Sequence, residues 1–125
     1  MGSIIVLLSG VFFLVYGAAF GIAPNAMSEL VTGARLADGA ALIDFRATYG
    51  GLTLAVGLMI LLLYRSSQIR LALLMVISVL ACMAFTRVLG MIVDGGANTT
   101  MYVYLALESG GALLGWFAMH RRADQ

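Results

Sequence analysis

The stretch Ile69–Gly96, IRLALLMVISVLACMAFTRVLGMIVDGG, decides how the rest of the chain is read. Between Ile69 and Val93 only Arg70 and Arg87 carry charge, and Asp94-Gly95-Gly96 then breaks the apolar run. A helix rises about 1.5 Å per residue, so this run covers the roughly 30 Å hydrocarbon core of a bilayer. In lipid a segment has to satisfy its own backbone hydrogen bonds, which makes it a helix and not an isolated strand.

Working outward, three more runs of similar length follow the same pattern. One precedes it at Phe45–Tyr64, separated only by the tight turn Arg65–Gln68. An earlier one, Ser3–Ala23, is stopped by Pro24. The last, Met101–Met119, is stopped by His120-Arg121-Arg122. The spacing predicts an all-α integral membrane protein, a single transmembrane domain over residues 1–125 folded as a four-helix bundle. Composition agrees: 62% of residues are hydrophobic and only 10% charged. A soluble domain carries about 25% charged residues. The amino terminus lacks the basic region of a signal peptide, so the first run is read as retained.

The connections are unequal. Asp94–Thr100 is short and rich in Gly, Asn and Thr, as loops are. Pro24–Asp44 is longer and places Met27, Leu30 and Val31 at helical spacing, which predicts a short amphipathic helix on the membrane surface. Asp38 is placed to cap an extension of the second span. Arg65 and Arg70, with Arg121 and Arg122 in the tail, put one side in the cytoplasm by the positive-inside rule. Both termini then lie inside, and the first and third loops face outward, to the periplasm if this is a bacterial inner membrane. Arg35, Arg46 and Arg87, on or near the outer side, temper that bias.

Under this orientation Arg46, Arg87 and Glu108 come from three helices at similar depth. Asp44 and Asp94 bracket them at the interface. A charge at the bilayer centre costs about 2.5 to 3.5 kcal/mol on insertion scales. Arg46 has a stem long enough to snorkel, whereas Glu108 does not and needs a partner. The expectation is a Glu108 carboxylate held by Arg87, Arg46 or both. Helical stripes place these charges beside glycines: Arg46, Tyr49, Gly50, Thr53 and Gly57 on one span, Tyr104, Glu108, Gly111 and Gly115 on another. Gly10, Gly17 and Gly21 form a stripe on the first span, and glycines are where membrane helices approach closely. The Gly17–Gly21 and Gly111–Gly115 pairs are read as packing within the chain before pairing between chains.

Other chemistry finds little to build on. The net charge of +1 steers no nucleic acid. One cysteine, Cys82, allows no internal disulfide and is read as a packing residue. The single histidine, His120, stands beside the tail arginines, so no metal site and no cofactor are expected. The eight methionines are read as lipid-facing or core filler. Tyr102, Tyr104 and Trp116 read as interface anchors. There is no G-x-S-x-G, phosphate loop or Ser-His-Asp set, and Asp94-Gly95-Gly96 is a turn.

Asp44-Phe45-Arg46-Ala47-Thr48-Tyr49-Gly50-Gly51, followed by Gly57, Arg87, Asp94-Gly95 and Glu108, resembles a bacterial family of small four-span proteins, the DUF4345 type. The R-A-x-Y-G-G string opening the second span carries the resemblance best, and it covers nearly the whole chain. It implies a compact four-helix membrane bundle like that of the DoxX-like group. It implies no activity, cofactor or substrate. It singles out Arg46, Tyr49, Arg87, Asp94 and Glu108. An acidic residue often stands two places before the family arginine, and here it is the shorter acid, Asp44.

Three readings of function stay open. In the first, an outward-facing polar pocket binds a small amphipathic molecule or lipid, with Arg46 and Arg87 donating to an anionic or carbonyl group. In the second, the chain is an accessory or scaffolding subunit that docks a membrane-protein partner, or a second copy of itself, through its glycine faces or first loop. In the third, Glu108 serves proton-coupled transport or enzymatic acid–base chemistry. Besides these, the charged cluster has a purely structural reading as a lock on helix register.

Overall fold

A computed structural model describes residues 1–120. Arg121 and Arg122, half of the predicted cytoplasmic charge, lie outside the described residues. Those described form α1 (Gly2–Ile22), α2 (Pro24–Thr32), α3 (Ala40–Phe45), a π-helical stretch (Arg46–Leu52), α4 (Thr53–Arg65), α5 (Ile69–Val93) and α6 (Thr99–His120). α3, the π stretch and α4 follow one another without a break, so the second long rod is 26 residues, Ala40–Arg65. It starts five residues before the run at Phe45, because the helix continues through Asp44 into the apolar Ala40-Ala41-Leu42-Ile43.

Three of the rods, Gly2–Ile22, Ala40–Arg65 and Ile69–Val93, are long and apolar enough to cross a membrane. Only 17% of the most apolar window of α5 is buried within the protein. Phe85, Ile92 and Val93 on that helix point outward. An apolar surface of this extent needs lipid as its solvent, and the chain is an integral membrane protein. α6 is 22 residues long but carries the run Glu108-Ser109-Gly110-Gly111, which dilutes its apolar character below that of the other three.

The chain divides into two compact units. One is Leu7–Leu62. Here α1 packs antiparallel on α4 and the π stretch through glycines. A Cβ added to Gly57 would lie 2.6 Å from the backbone nitrogen of Leu14, and one on Gly17 2.5 Å from that of Leu54. Backbone therefore meets backbone at both points, and no side chain larger than hydrogen fits. Phe13, Phe20 and Ile60 fill the rest of this contact zone as buried residues.

The predicted short helix in the long connection is α2. Pro24 occupies its first turn, where a missing N–H costs nothing. Its buried face is Pro24, Ser28 and Val31, while Leu30 faces out. Gly33, in the left-handed conformation with φ 80°, ends it by donating its N–H to Glu29. Side chains then tie down the segment beyond. The Ser28 hydroxyl donates to the Ala34 carbonyl at 2.8 Å, and the Leu36 N–H donates to Asn25 Oδ1 at 3.1 Å. The expected Asp38 cap is not formed. Gly39, at φ 80°, occupies the cap position of α3 without a side-chain bond, leaving Asp38 one residue too early to reach the helix.

The other unit joins Met1–Val6 with the chain from Leu63 on. α4 turns into α5 through bonds from the Ser67 and Gln68 N–H groups to the Tyr64 and Leu63 carbonyls. α5 and α6 then lie antiparallel. Gly111 meets Leu80, and Gly115 meets Ile77 one turn further along. Both G-x-x-x-G pairs are thus used in packing within the chain: Gly17 and Gly21 against Gly50 and Leu54, Gly111 and Gly115 against α5.

Candidate functional site

Arg87 projects from α5 onto the face of α6 formed by Met101, Tyr104 and Glu108, spaced three and four residues apart. Its Nε donates to Glu108 Oε2 at 2.9 Å and its Nη2 to Oε1 at 2.5 Å. The third nitrogen, Nη1, donates to the sulfur of Met101 at 3.1 Å. The guanidinium carbon also sits 5.2 Å from the centre of the Tyr104 ring, a cation–π distance. The two side chains are 17% and 6% exposed. A fork-on-fork pair of this kind combines charge with two aligned hydrogen bonds, which fixes its geometry. It also answers the desolvation problem of Glu108, since an unpaired carboxylate at that depth would be far more costly.

Next to the pair, at the C-terminal end of α5, lies a cleft of about 280 Å³ lined by Arg87, Gly90, Met91, Asp94, Gly95, Gly96, Ala97 and Met101. The turn that makes it depends on glycine. Asp94 caps α5 by donating its N–H to the Gly90 carbonyl at 2.8 Å. Gly95 and Gly96 follow with φ of 68° and 67°, two left-handed residues in succession that side chains would strain. α6 starts two residues before the predicted Met101 because Asn98 caps it, its Oδ1 accepting the Met101 N–H at 3.0 Å. This cap and the Met101 contact were missed in the sequence; a lone Asn before Thr-Thr is a signal that could have found the first.

The remaining candidates, Arg46, Tyr49 and Asp44, belong to the Leu7–Leu62 unit. Arg46 directs Nη1 to the carbonyls of Gly21 and, at 3.2 Å, Ile22. Those groups are orphans with a clear cause. α1 ends at Ile22, so the carbonyls of its last turn have no helical N–H to accept from. A cation placed there also complements the negative end of the helix dipole. Of the two arginines expected near Glu108, then, Arg87 holds it, while these bonds of Arg46 are made at the end of α1.

Arg46 also opens the π stretch. Thr48 donates its hydroxyl to the Asp44 carbonyl, one turn back, at 2.6 Å. Gly50 lets the backbone of Gly21 approach: a Cβ there would fall 2.9 Å from its Cα. Tyr49 stacks on Phe45 with ring centres 4.6 Å apart and meets Phe20 at 5.3 Å. Phe20 continues to Tyr16 and Phe12 along α1. This five-ring ladder went unread in the sequence, although Phe12, Tyr16 and Phe20 repeat every four residues.

Chemically, the Arg87 end offers a half-open, mainly apolar recess walled by thioethers and glycines, with Arg87 and Asp94 as the charged residues of its lining. Among the described residues no three His, Cys, Asp or Glu side chains converge as metal ligands would.

A family model described as a domain of unknown function, DUF4345, matches residues 1–119. No curated protein and no solved structure matches.

Proposed function

The chain belongs to the DUF4345 family, and we propose that it is a four-span protein, with both termini in the cytoplasm of a bacterial inner membrane, that binds a small amphipathic molecule in the cleft beside Arg87. The observation that carries this reading is the buried Arg87–Glu108 couple with an open recess against it. Ionisable groups within membrane helices are expensive and are functional candidates for that reason. The site residues are Arg87 and Asp94 at the cleft and Glu108 behind Arg87, with Arg46 and Tyr49 holding the π turn and the end of α1.

The fourth span is α6. Its contacts with α5 extend from Arg87–Glu108 to Gly115–Ile77, so a membrane-crossing α5 carries α6 through the same layer. Pairing with Arg87 offsets the charge that lowers the apolar character of α6.

A docking subunit would use its glycine faces or its first loop, and of these the Gly17–Gly21 and Gly111–Gly115 pairs are already taken up in packing within the chain. That favours the binding reading. Native mass spectrometry of the protein in lipid nanodiscs tests it. Wild type retains lipids or small molecules that Arg87→Ala loses. Identical retained sets in the two proteins would overturn the proposal.

A further inference from the structure

The charged residues that line the cleft at the end of α5 are Arg87 and Asp94. Arg87 reaches its inner wall, but it cancels against Glu108 as a pair. Asp94 has no such partner. Its carboxylate makes no hydrogen bond or ion pair among the described residues. It also stands at the C-cap of α5, where the last backbone carbonyls concentrate the negative end of the helix dipole. Cations are favoured at that position and carboxylates are not. Asp94 and the helix end therefore act together toward whatever occupies the recess.

We infer that the cleft takes an amphiphile whose polar end is an ammonium group, with Asp94 as its counter-ion. This rests on the reading of the recess as a ligand site and reverses the charge expected from the arginines alone. Both arginines are committed to acceptors in the protein: Arg46 to the carbonyls of Gly21 and Ile22, Arg87 to Glu108. What remains for a newcomer is an acceptor. The volume of about 280 Å³ stands at the small end of ligand pockets, which run about 300 to 1,000 Å³, and is enough for a headgroup. Met91, Met101 and Ala97 supply apolar wall for the carbon atoms next to the charge.

The same chemistry comes from a lipid headgroup or from a free alkylamine, and two arms separate these sources. In the first, the protein is placed in nanodiscs of equal phosphatidylethanolamine and phosphatidylglycerol, and retained lipids are read by native mass spectrometry. Wild type enriches the ethanolamine lipid, and Asp94→Asn reduces that enrichment about two- to fivefold, the scale of one exposed ion pair. In the second, dodecylamine and dodecyl phosphate are titrated into phosphatidylglycerol nanodiscs. Saturable binding of the amine that Asp94→Asn weakens assigns the site to free amines as well.

An unchanged thermal melt for Asp94→Asn shows that folding is not the cause. Preference for the anionic lipid or probe, lost in Arg87→Ala, would overturn the ammonium inference while sparing the binding site. Indifference of every arm to both variants would overturn both.

Discussion

Glu108 is the residue whose environment is most demanding. It is 5% exposed, and its two carboxylate oxygens are each met by a nitrogen of Arg87. Removing one partner of a buried couple leaves the other charge unsolvated, which typically costs about 3 to 5 kcal/mol. Glu108→Leu should fall in that range. Glu108→Gln removes the charge but keeps an oxygen that Arg87 can donate to, so its loss should be smaller, about 1 to 3 kcal/mol. Melting in detergent or nanodiscs should therefore rank wild type above Gln and Gln above Leu. Equal melting of the two variants would mean that the couple does not support the fold. The need of Glu108 for a partner was legible from its short stem and its depth in an apolar run. Which arginine supplies it was not. Arg46 and Arg87 have similar depth in the sequence, and the choice is made by the break at Pro24, which leaves carbonyls at the end of α1 that Arg46 serves.

At the scale of elements, the long apolar runs located α1, α4 and α5 within a few residues, because lipid tolerates few polar groups along a span. Two features escaped that logic. The early start at Ala40 was cut off by Asp44, although Ala40-Ala41-Leu42-Ile43 before it is apolar. The π stretch, Arg46–Leu52, has no period of its own to detect. Glycine stripes, by contrast, were readable as contact lines, and they differ in how much they tolerate. Gly57→Ala would drive a methyl into the backbone of Gly10 and Leu14, which cannot move as a side chain can. Overpacking of this kind costs about 1 to 3 kcal/mol, occasionally more. Gly110→Ala meets nothing within 4 Å and gains helix propensity, worth up to about 1 kcal/mol in a helix interior. Melting temperature should drop for the first and hold or rise for the second. A loss at Gly110 as large as that at Gly57 would show that the contact lines are misread.

For the whole molecule the open quantity is the number of crossings, and it follows from charge and packing together. Arg65 and Arg70 flank the α4–α5 turn, which closes through backbone bonds to Tyr64 and Leu63, so both arginines share one side of the membrane. The α5–α6 turn, with Asp94, lies at the far end of α5, which the proposed orientation places outside. α6 then has two options. If it crosses beside α5, His120 returns to the arginine side; if it lies flat, His120 stays with Ala97. The crossing is the option we propose, supported by the contacts of Gly111 with Leu80 and of Gly115 with Ile77. Single cysteines at Ser66, Ala97 and His120, in a Cys82→Ser background because Cys82 is exposed, separate the two. A membrane-impermeant maleimide applied from the periplasmic side should label Ala97→Cys and spare Ser66→Cys and His120→Cys. Labelling of His120→Cys together with Ala97→Cys would reduce the protein to three spans and leave the Arg87–Glu108 couple without the apolar depth that makes it costly.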